Sequence, residues 1–147
     1  MALEEGEIVS LRLNVGSRVP MEEVDKIVLM EKKGIEGDRH FQKEGKLLKR
    51  QILLMDGETL GEFGLFDGQI RENITVKGVE LSSLVEGSKL FIGEDVVLNI
   101  TGDCEPCYRM DEIREGLQKA LENRRGVLAY AESGGIISIG DKVQVRK

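Results

Sequence analysis

The sequence predicts a mainly β protein, a closed or partly open β-barrel with about two helices. Many short apolar segments are separated by turns, and the chain contains 18 Gly but only two Pro, a pattern typical of many short strands joined by tight turns. The strand–helix–strand alternation of a doubly wound parallel sheet is absent. With 147 residues and no visible linker or repeat, the chain is expected to form one domain over 1–147.

The first half of the chain contains three predicted strands and one long loop. Partial alternation of apolar and polar residues predicts strands over Glu7–Asn14 and Lys26–Met30, and the apolar run Gln51–Met55 predicts a third. The stretch from Gly34 to Leu48 is polar and punctuated by glycine. Its length indicates a functional or mobile loop, because most simple connections are shorter.

Two helices are predicted, one in each half of the chain. Asp56 is the expected N-cap of a short helix over Gly57–Phe63. A second helix is predicted from Asp111 to about Asn123, because its apolar residues recur on one helical face. Those residues are Ile113, Leu117, Ala120 and Leu121. Arg124 and Arg125 follow near its C-terminal end, where the helix dipole alone accounts for positive side chains.

The remaining strands form predicted hairpins and a terminal strand. They are predicted over Asn73–Val76, Lys89–Ile92, Val96–Ile100, Gly126–Ala131, Ile136–Ile139 and Lys142–Val145. A turn at 93–95 joins the second of these strands to the third. Gly134-Gly135 joins the fourth to the fifth, so each of these two pairs is predicted to be a hairpin.

Composition and charge exclude several classes of function. The net charge of −6 gives no electrostatic support to a nucleic-acid partner, and 4% aromatic residues are too few for base-stacking platforms. No apolar run reaches the roughly 20 residues of a membrane span, and the acidic N-terminus is unlike a signal peptide. We therefore expect a cytoplasmic protein without a membrane partner, whose two cysteines are reduced and serve chemistry.

Cys107 is the most informative residue of the sequence. It lies between the strand Val96–Ile100 and the helix predicted from Asp111. Cysteines at such junctions are typical nucleophiles or soft metal ligands. Arg109 is the nearest cation in sequence and is a candidate to support the thiol. Cys107 could also be a small buried hydrophobic residue, which is common for free cysteine.

Five motifs occur together in a recognisable order. They are Gly34-Ile35-Glu36-Gly37-Asp38-Arg39-His40, Arg71-Glu72-Asn73-Ile74-Thr75-Val76, Pro106-Cys107, Gly126-Val127-Leu128-Ala129-Tyr130, and Gly134-Gly135-Ile136 leading to Gly140-Asp141-Lys142-Val143. This order resembles the MOSC family, named for the C-terminal domain of molybdenum cofactor sulfurases, over roughly residues 6 to 146. The family usually has glycine where this chain has Arg71.

The resemblance implies a fold like the barrel domain of pyruvate kinase and a role for Cys107 as persulfide carrier or molybdenum ligand. Some relatives are molybdenum-cofactor enzymes that reduce N-hydroxylated compounds, and others are sulfurase tails. The implied cofactor is molybdopterin-based. The implied partners are a cysteine desulfurase or molybdenum cofactor enzymes.

Four further residues are candidates for binding the cofactor. Arg39 could bind a phosphate with its two-pronged guanidinium, and His40, the only histidine, could add a hydrogen bond. The pterin part of molybdenum cofactor ends in such a phosphate. The carboxylate of Glu72 and the amide of Asn73 suit the polar edge of a pterin.

Two alternatives remain open from the sequence. Cys104 and Cys107 are spaced as in a dithiol redox motif, which predicts that both cysteines are needed for activity. A barrel that only binds a protein partner predicts no cofactor. Structural zinc is not expected, because two Cys and one His cannot fill four ligand positions.

Overall fold

The computed structural model describes residues 4–146 and contains a closed seven-stranded β-barrel, a small second sheet and three short helices. This confirms the mainly β barrel predicted from the sequence. The strands are β1 (Glu4–Leu13), β2 (Glu22–Val24), β3 (Lys26–Met30), β4 (Gly34–Ile35), β5 (Ile52–Asp56), β6 (Ile74–Lys77), β7 (Lys89–Ile92), β8 (Val96–Asp103), β9 (Val127–Ser133), β10 (Gly135–Ser138) and β11 (Lys142–Arg146). The helices are α1 (Gly57–Glu62), α2 (Arg109–Ile113) and α3 (Leu117–Ala120).

Seven strands close the barrel in the order β1, β6, β5, β9, β8, β7 and β11, and β11 returns to pair with β1. Neighbouring strands are antiparallel except for the parallel pair β5 and β6. Outside the barrel, β2 forms a hairpin with the end of β1, and β3 pairs with both β4 and β10. Closure satisfies the backbone groups on both edges of each barrel strand.

The barrel interior is filled by Ile, Leu and Val side chains. Among them, Leu11, Leu54, Ile74, Leu98 and Val143 have no exposed surface. A second apolar cluster packs the three helices and the 63–70 connection against the end of β5. Its buried members are Met55, Leu60, Leu65, Ile70, Met110, Leu117 and Leu121. This second cluster fixes where the segment after β8, which carries Cys107, lies relative to the barrel.

The first predicted helix is confirmed, whereas the second is wrong as a single helix. Asp56 caps α1, since its Oδ2 accepts hydrogen bonds from the Thr59 backbone N–H at 2.9 Å and the Thr59 hydroxyl at 2.6 Å. The segment predicted as one helix is divided into α2 and α3. Arg114 is extended, and Gly116 has a φ of 87°, a left-handed conformation that ends a helix. Within residues 4–146, no helix has the length and apolarity required to cross a lipid bilayer.

The hairpin predicted around Gly134-Gly135 is also wrong. β9 pairs with β5 and β8, whereas β10 leaves the barrel and pairs with β3. Gly135 has a φ of 155°, and a side chain at Gly134 would collide with the Leu29 carbonyl oxygen. The two glycines therefore let the chain pass directly from the barrel to the second sheet. The first predicted hairpin, β7 with β8, is confirmed.

Gly126, which precedes β9, is predicted to be intolerant of a side chain. Its φ is 108°, and a Cβ atom there would collide with the Leu54 carbonyl oxygen. Gly140 has a similar φ of 93° but nothing within 4 Å of such a Cβ atom. We expect Gly126→Ala to lower the free energy of unfolding by about 1–3 kcal/mol more than Gly140→Ala, because only the first adds a steric clash.

Urea denaturation of both variants at neutral pH measures this difference. Equal losses of stability would show that backbone conformation alone, and not the contact with Leu54, determines the need for glycine.

Candidate functional site

A cavity of about 760 Å³ lies beside the barrel where several strands begin or end. It is bordered by Asn14 after β1, Cys104 after β8, Asn73 before β6 and Arg125 before β9. Residues of α2 and of the segments 18–21 and 67–71 contribute further to its walls. The ends of four barrel strands therefore meet at one place, which brings together side chains that are far apart in sequence.

Both cysteines border this cavity but differ in exposure. Cys107 is exposed, Cys104 is buried, and neither forms a disulfide. The Met110 backbone N–H donates to the Cys107 carbonyl oxygen at 3.0 Å and holds the start of α2 against the cysteine segment. The helix α2 has only five residues, so its own hydrogen bonds do little to fix its position. Packing of its Met110 in the second apolar cluster therefore positions α2 and, with it, Cys107. Cys107 can be reached from solvent, whereas the Sγ atom of buried Cys104 lies 3.9 Å from the Glu105 carbonyl oxygen.

The cavity is strongly cationic in a protein whose net charge is −6. Its bordering arginines are Arg12, Arg18, Arg39, Arg50, Arg71, Arg109 and Arg125, against only Asp67 and Glu112. Arg12 pairs with Glu23 at 3.4 Å, and Arg18 pairs with Glu112 at 3.1 Å. The other five arginines form no ion pair within residues 4–146. Clustered cations without carboxylate partners are typical of a site that binds an anion.

Asp38 connects three parts of the chain at the edge of this cavity. Its Oδ1 accepts hydrogen bonds from the Asn14 backbone N–H at 2.6 Å and from Asn73 Nδ2 at 2.9 Å. Its Oδ2 accepts from the His40 backbone N–H at 2.9 Å and lies 3.2 Å from His40 Nδ1. Burial raises the pKa of Asp38, but the hydrogen bonds from His40 and Asn14 outweigh it and lower the pKa overall.

Arg71 has a left-handed backbone conformation, with a φ of 68°, which is unfavourable for any residue with a side chain. Its guanidinium donates to the carbonyl oxygens of Val19 and Gly16 at 2.8 Å each and to Asn14 Oδ1 at 3.1 Å. Burial lowers the pKa of Arg71, and the positive charges of Arg109 and Arg39 lower it further. Arg109 and Arg39 are therefore close enough to repel the charge of Arg71, and we call these three arginines the rim cluster.

The segment 14–20 forms a strap that crosses from the end of β1 to α2. Besides the bonds from Arg71, Arg109 Nη2 donates to the Ser17 hydroxyl at 3.1 Å. The Arg18 guanidinium donates to Glu112 at 3.1 Å and to the Tyr108 hydroxyl at 3.4 Å. The guanidinium groups of Arg109 and Arg18 lower the pKa of the exposed Tyr108 hydroxyl. The strap thus contacts three residues that follow Cys107 in the chain, namely Tyr108, Arg109 and Glu112.

The structure brings most of the sequence-predicted site residues to one cavity. Those that border it are Arg39, His40, Asn73, Cys107 and Arg109. Glu72 is fully buried and is not among the bordering residues. Its Oε2 accepts from the Gly68 N–H at 2.9 Å and the Thr75 hydroxyl at 2.8 Å, and burial raises its pKa. Glu72 therefore stabilises the connection before β6 through hydrogen bonds on its buried side.

The amide of Asn73 is used inside the protein. Its Oδ1 accepts from the Leu53 N–H at 3.0 Å, while Nδ2 donates to the Arg12 carbonyl oxygen and to Asp38. Asn73 borders the cavity, but these bonds make it a link between β1, β5 and the 36–42 loop. A role at the edge of a pterin would require some of them to be exchanged.

Sequence reasoning missed several bordering arginines. Arg12 lies within a strand and Arg50 within a run of charges, so neither was distinguishable from a solvated surface residue. Arg125 was explained by a helix C-terminus, but the helix ends at Ala120, and Arg125 is buried and donates to the Ile70 carbonyl oxygen at 2.7 Å. The only sequence feature that indicated a further arginine at the site was Arg71, which stands where the resembling family usually has glycine.

The closed β-barrel thus places an exposed cysteine and five arginines without carboxylate partners among the described residues around one cavity. The sequence profile of the MOSC domain matches residues 43–144. The chain therefore belongs to the MOSC domain family. No curated protein matches the chain.

Solved structures share the fold at low sequence identity. The YUAD protein from Bacillus subtilis has a TM-score of 0.81 and 20% identity, and the match covers 98% of this chain and 97% of that one. YiiM from Escherichia coli has a TM-score of 0.68 and 17% identity, covering 96% and 70%. YiiM from Geobacillus stearothermophilus has the same TM-score and 15% identity, covering 97% and 75%. At such identities the likeness is one of fold.

Asp38→Asn is predicted to destabilise the protein by about 2–3 kcal/mol, because the variant loses a buried charge that accepts several hydrogen bonds. The pKa of Asp38 is lower folded than unfolded. Its contribution is therefore complete above the unfolded value, about 3.9, and is lost as the pH falls through the folded value.

Urea denaturation from neutral to acidic pH tests this, with Asp25→Asn as an exposed control. The stability difference between wild type and Asp38→Asn should be largest at neutral pH and shrink under acid. A difference that grows as the pH falls would contradict the assigned role of the carboxylate.

Proposed function

We propose that this MOSC domain binds molybdenum cofactor in the cavity, with Cys107 as the protein ligand of the metal. The observation that carries the proposal is the position of an exposed thiol and five arginines without ion pairs around one cavity. Membership of the MOSC family connects that chemistry with the cofactor. The reaction we propose is the reduction of an N-hydroxylated compound by a cytoplasmic enzyme.

The residues present suit the parts of the cofactor. A cavity of about 760 Å³ lies within the range of roughly 300–1,000 Å³ of ligand sites. The rim cluster and His40 offer positive charge and N–H donors to a terminal phosphate. A cysteine thiolate is a soft ligand of the kind that suits molybdenum. When bound, the cofactor supplies two-electron redox chemistry at its metal.

The chain's own residues would position this group and its surroundings. Arg39 and Arg109 would bind the phosphate, and Arg71 would hold the strap while adding charge. Asp38 orients His40 by accepting from both its backbone N–H and its ring. Strap residues Val19 and Pro20 border the cavity and would exclude water from one side of it.

Sulfur transfer is the second candidate for Cys107. Its exposure favours a persulfide, because a donor such as a cysteine desulfurase must reach the sulfur atom. A carrier of this kind would accept sulfur and pass it to a molybdenum cofactor enzyme. The large cationic cavity favours cofactor binding over this alternative, since a persulfide alone has little use for five unpaired arginines.

Cys107→Ser is predicted to abolish molybdenum retention. Wild-type protein purified from a host that makes the cofactor should contain close to one molybdenum and one pterin per chain. The variant should contain little of either, because a serine hydroxyl is a hard ligand in place of a thiolate. Metal analysis and pterin fluorescence measure both.

Cys104→Ser is the matched control and separates the alternatives. Because Cys104 is buried and Cys107 is exposed, we expect Cys104→Ser to retain molybdenum. Equal loss in both variants would favour the dithiol alternative. Absence of molybdenum from wild type would contradict cofactor binding, and labelling of sulfane sulfur on Cys107 would then test the persulfide carrier.

A further inference from the structure

The segment 32–50 forms a positively charged surface on a protein that is otherwise acidic. It contains seven Lys and Arg against three Asp and Glu, which gives it a net charge of +4. Because the whole chain has a net charge of −6, the residues outside this segment together carry −10. Five exposed or half-buried lysines supply most of the positive charge, and we call them the basic surface. They are Lys32, Lys33, Lys43, Lys46 and Lys49.

Folding brings the two parts of the basic surface together, since the turn at 31–33 packs against the loop at 41–50. The Gln42 backbone N–H donates to the Lys33 carbonyl oxygen at 2.7 Å. Gln51 Nε2 donates to the carbonyl oxygens of Lys32 at 2.6 Å and Leu47 at 3.1 Å. Because Gln51 is only 1% exposed, it joins the turn and the loop from the protein interior. The lysines of both parts therefore belong to one surface.

The positive charges of this surface are largely without carboxylate partners. Lys46 lies 3.2 Å from Glu44, but the two side chains are 78% and 73% exposed, so the pair contributes little. The other four lysines form no ion pair within residues 4–146. Leu47 lies among them and is 69% exposed. A surface of this kind can match an opposite charge and bury apolar area in the same contact.

The basic surface continues to the edge of the cavity. The Thr101 hydroxyl of β8 donates to the Lys49 carbonyl oxygen at 2.8 Å, which fixes this end of the loop against the barrel. Arg50 is the next residue and borders the cavity, as does Cys104 directly after β8. A molecule seated on the basic surface would therefore lie beside the cavity that contains the exposed thiol of Cys107.

We propose that the basic surface docks a partner protein whose contacting face is acidic and covers Leu47. An acidic face is complementary to the unpaired lysines. A nucleic acid fits less well, because its phosphate charges continue along the strand and would meet the net negative charge of the rest of the protein. A lipid surface fits less well too, because one leucine offers little apolar area for insertion. Docking at this surface lies outside the proposed function and does not require the cofactor.

Fluorescence anisotropy with cofactor-free, full-length protein tests the basic surface. The probe is a fluorescein-labelled peptide of Glu and Asp residues around one central Leu. We expect saturable binding that weakens as the salt concentration rises, because salt screens exposed charges. A labelled oligothymidylate strand and vesicles that contain phosphatidylglycerol are the competing probes. No binding of the peptide, or tighter binding of either competing probe, would overturn the proposal.

Charge reversal locates the binding on the protein. A variant with Lys43→Glu, Lys46→Glu and Lys49→Glu should bind the peptide about tenfold or more weakly, because attraction becomes repulsion. The matched control reverses three exposed lysines outside the basic surface and changes the net charge by the same amount. They are Lys26, Lys119 and Lys142. Equal weakening in the two variants would show that only the overall charge matters, and it would overturn the proposal.

Leu47→Ala separates a protein contact from simple attraction between charges. We expect it to weaken binding of the peptide by about threefold or more, because less apolar area is buried. Ile139→Ala is the control, since Ile139 is 44% exposed and its N–H bonds to the Asp25 carbonyl oxygen, at the end of β3 that is remote from the turn at 31–33. It should leave binding unchanged. Undiminished binding in Leu47→Ala would contradict docking of a protein face at this position.

Discussion

The buried carboxylate of Asp38 is the interaction on which the functional end of the barrel depends. It joins Asn14 after β1, Asn73 before β6 and His40 in the intervening loop. The barrel itself is held by its apolar interior and by closure between β11 and β1. Those forces do not determine where the segments outside the strands lie. Asp38 does so by satisfying several donors at once, which a neutral or shorter side chain could not achieve.

Charge at the cavity works against folding and in favour of ligand binding. Arg71 has a left-handed backbone and positive neighbours, and both features are unfavourable unless the surroundings maintain them. The hydrogen bonds from Arg71 to the strap provide part of that support. Elsewhere the surface is acidic enough to give a net charge of −6. The cavity is thus a local positive region that concentrates anions against the charge of the protein as a whole.

The sequence predicted the fold class and the strands well because those depend on local patterns. β3 and β7 have the predicted bounds, and Asp56 caps α1 as its type and position indicated. The division of the second helix was missed because the apolar spacing of Ile113, Leu117, Ala120 and Leu121 is compatible with a continuous helix as well as a broken one. The pairing of β10 with β3 was missed because it depends on contacts between segments far apart in sequence. A hairpin of β9 with β10 was predicted instead, because these two strands are adjacent in sequence.

The candidate site was only partly predictable for a related reason. Cys107, Arg39 and His40 stand in motifs whose residue types indicate chemistry. Arg12, Arg50 and Arg125 become distinctive only when the fold brings them to one cavity. A buried arginine and a solvated one look alike in sequence, since burial is determined by elements far along the chain. The same holds for Glu72, whose burial beneath the Gly68 connection no local pattern reveals.

The strap beside the cavity is held by contacts of two different kinds. The Arg18 and Glu112 side chains are 55% and 48% exposed, and exposed ion pairs contribute only about 0–1 kcal/mol. Dissolved salt screens such pairs over about 8 Å at physiological ionic strength, whereas bonds from partly buried Arg71 are affected less. The Arg71 hydrogen bonds therefore hold the strap firmly, whereas the exposed ion pair of Arg18 and Glu112 holds it only weakly. The contact of the strap with α2 through Arg18 and Glu112 is thus sensitive to the ionic medium, while its contacts with Arg71 are much less so.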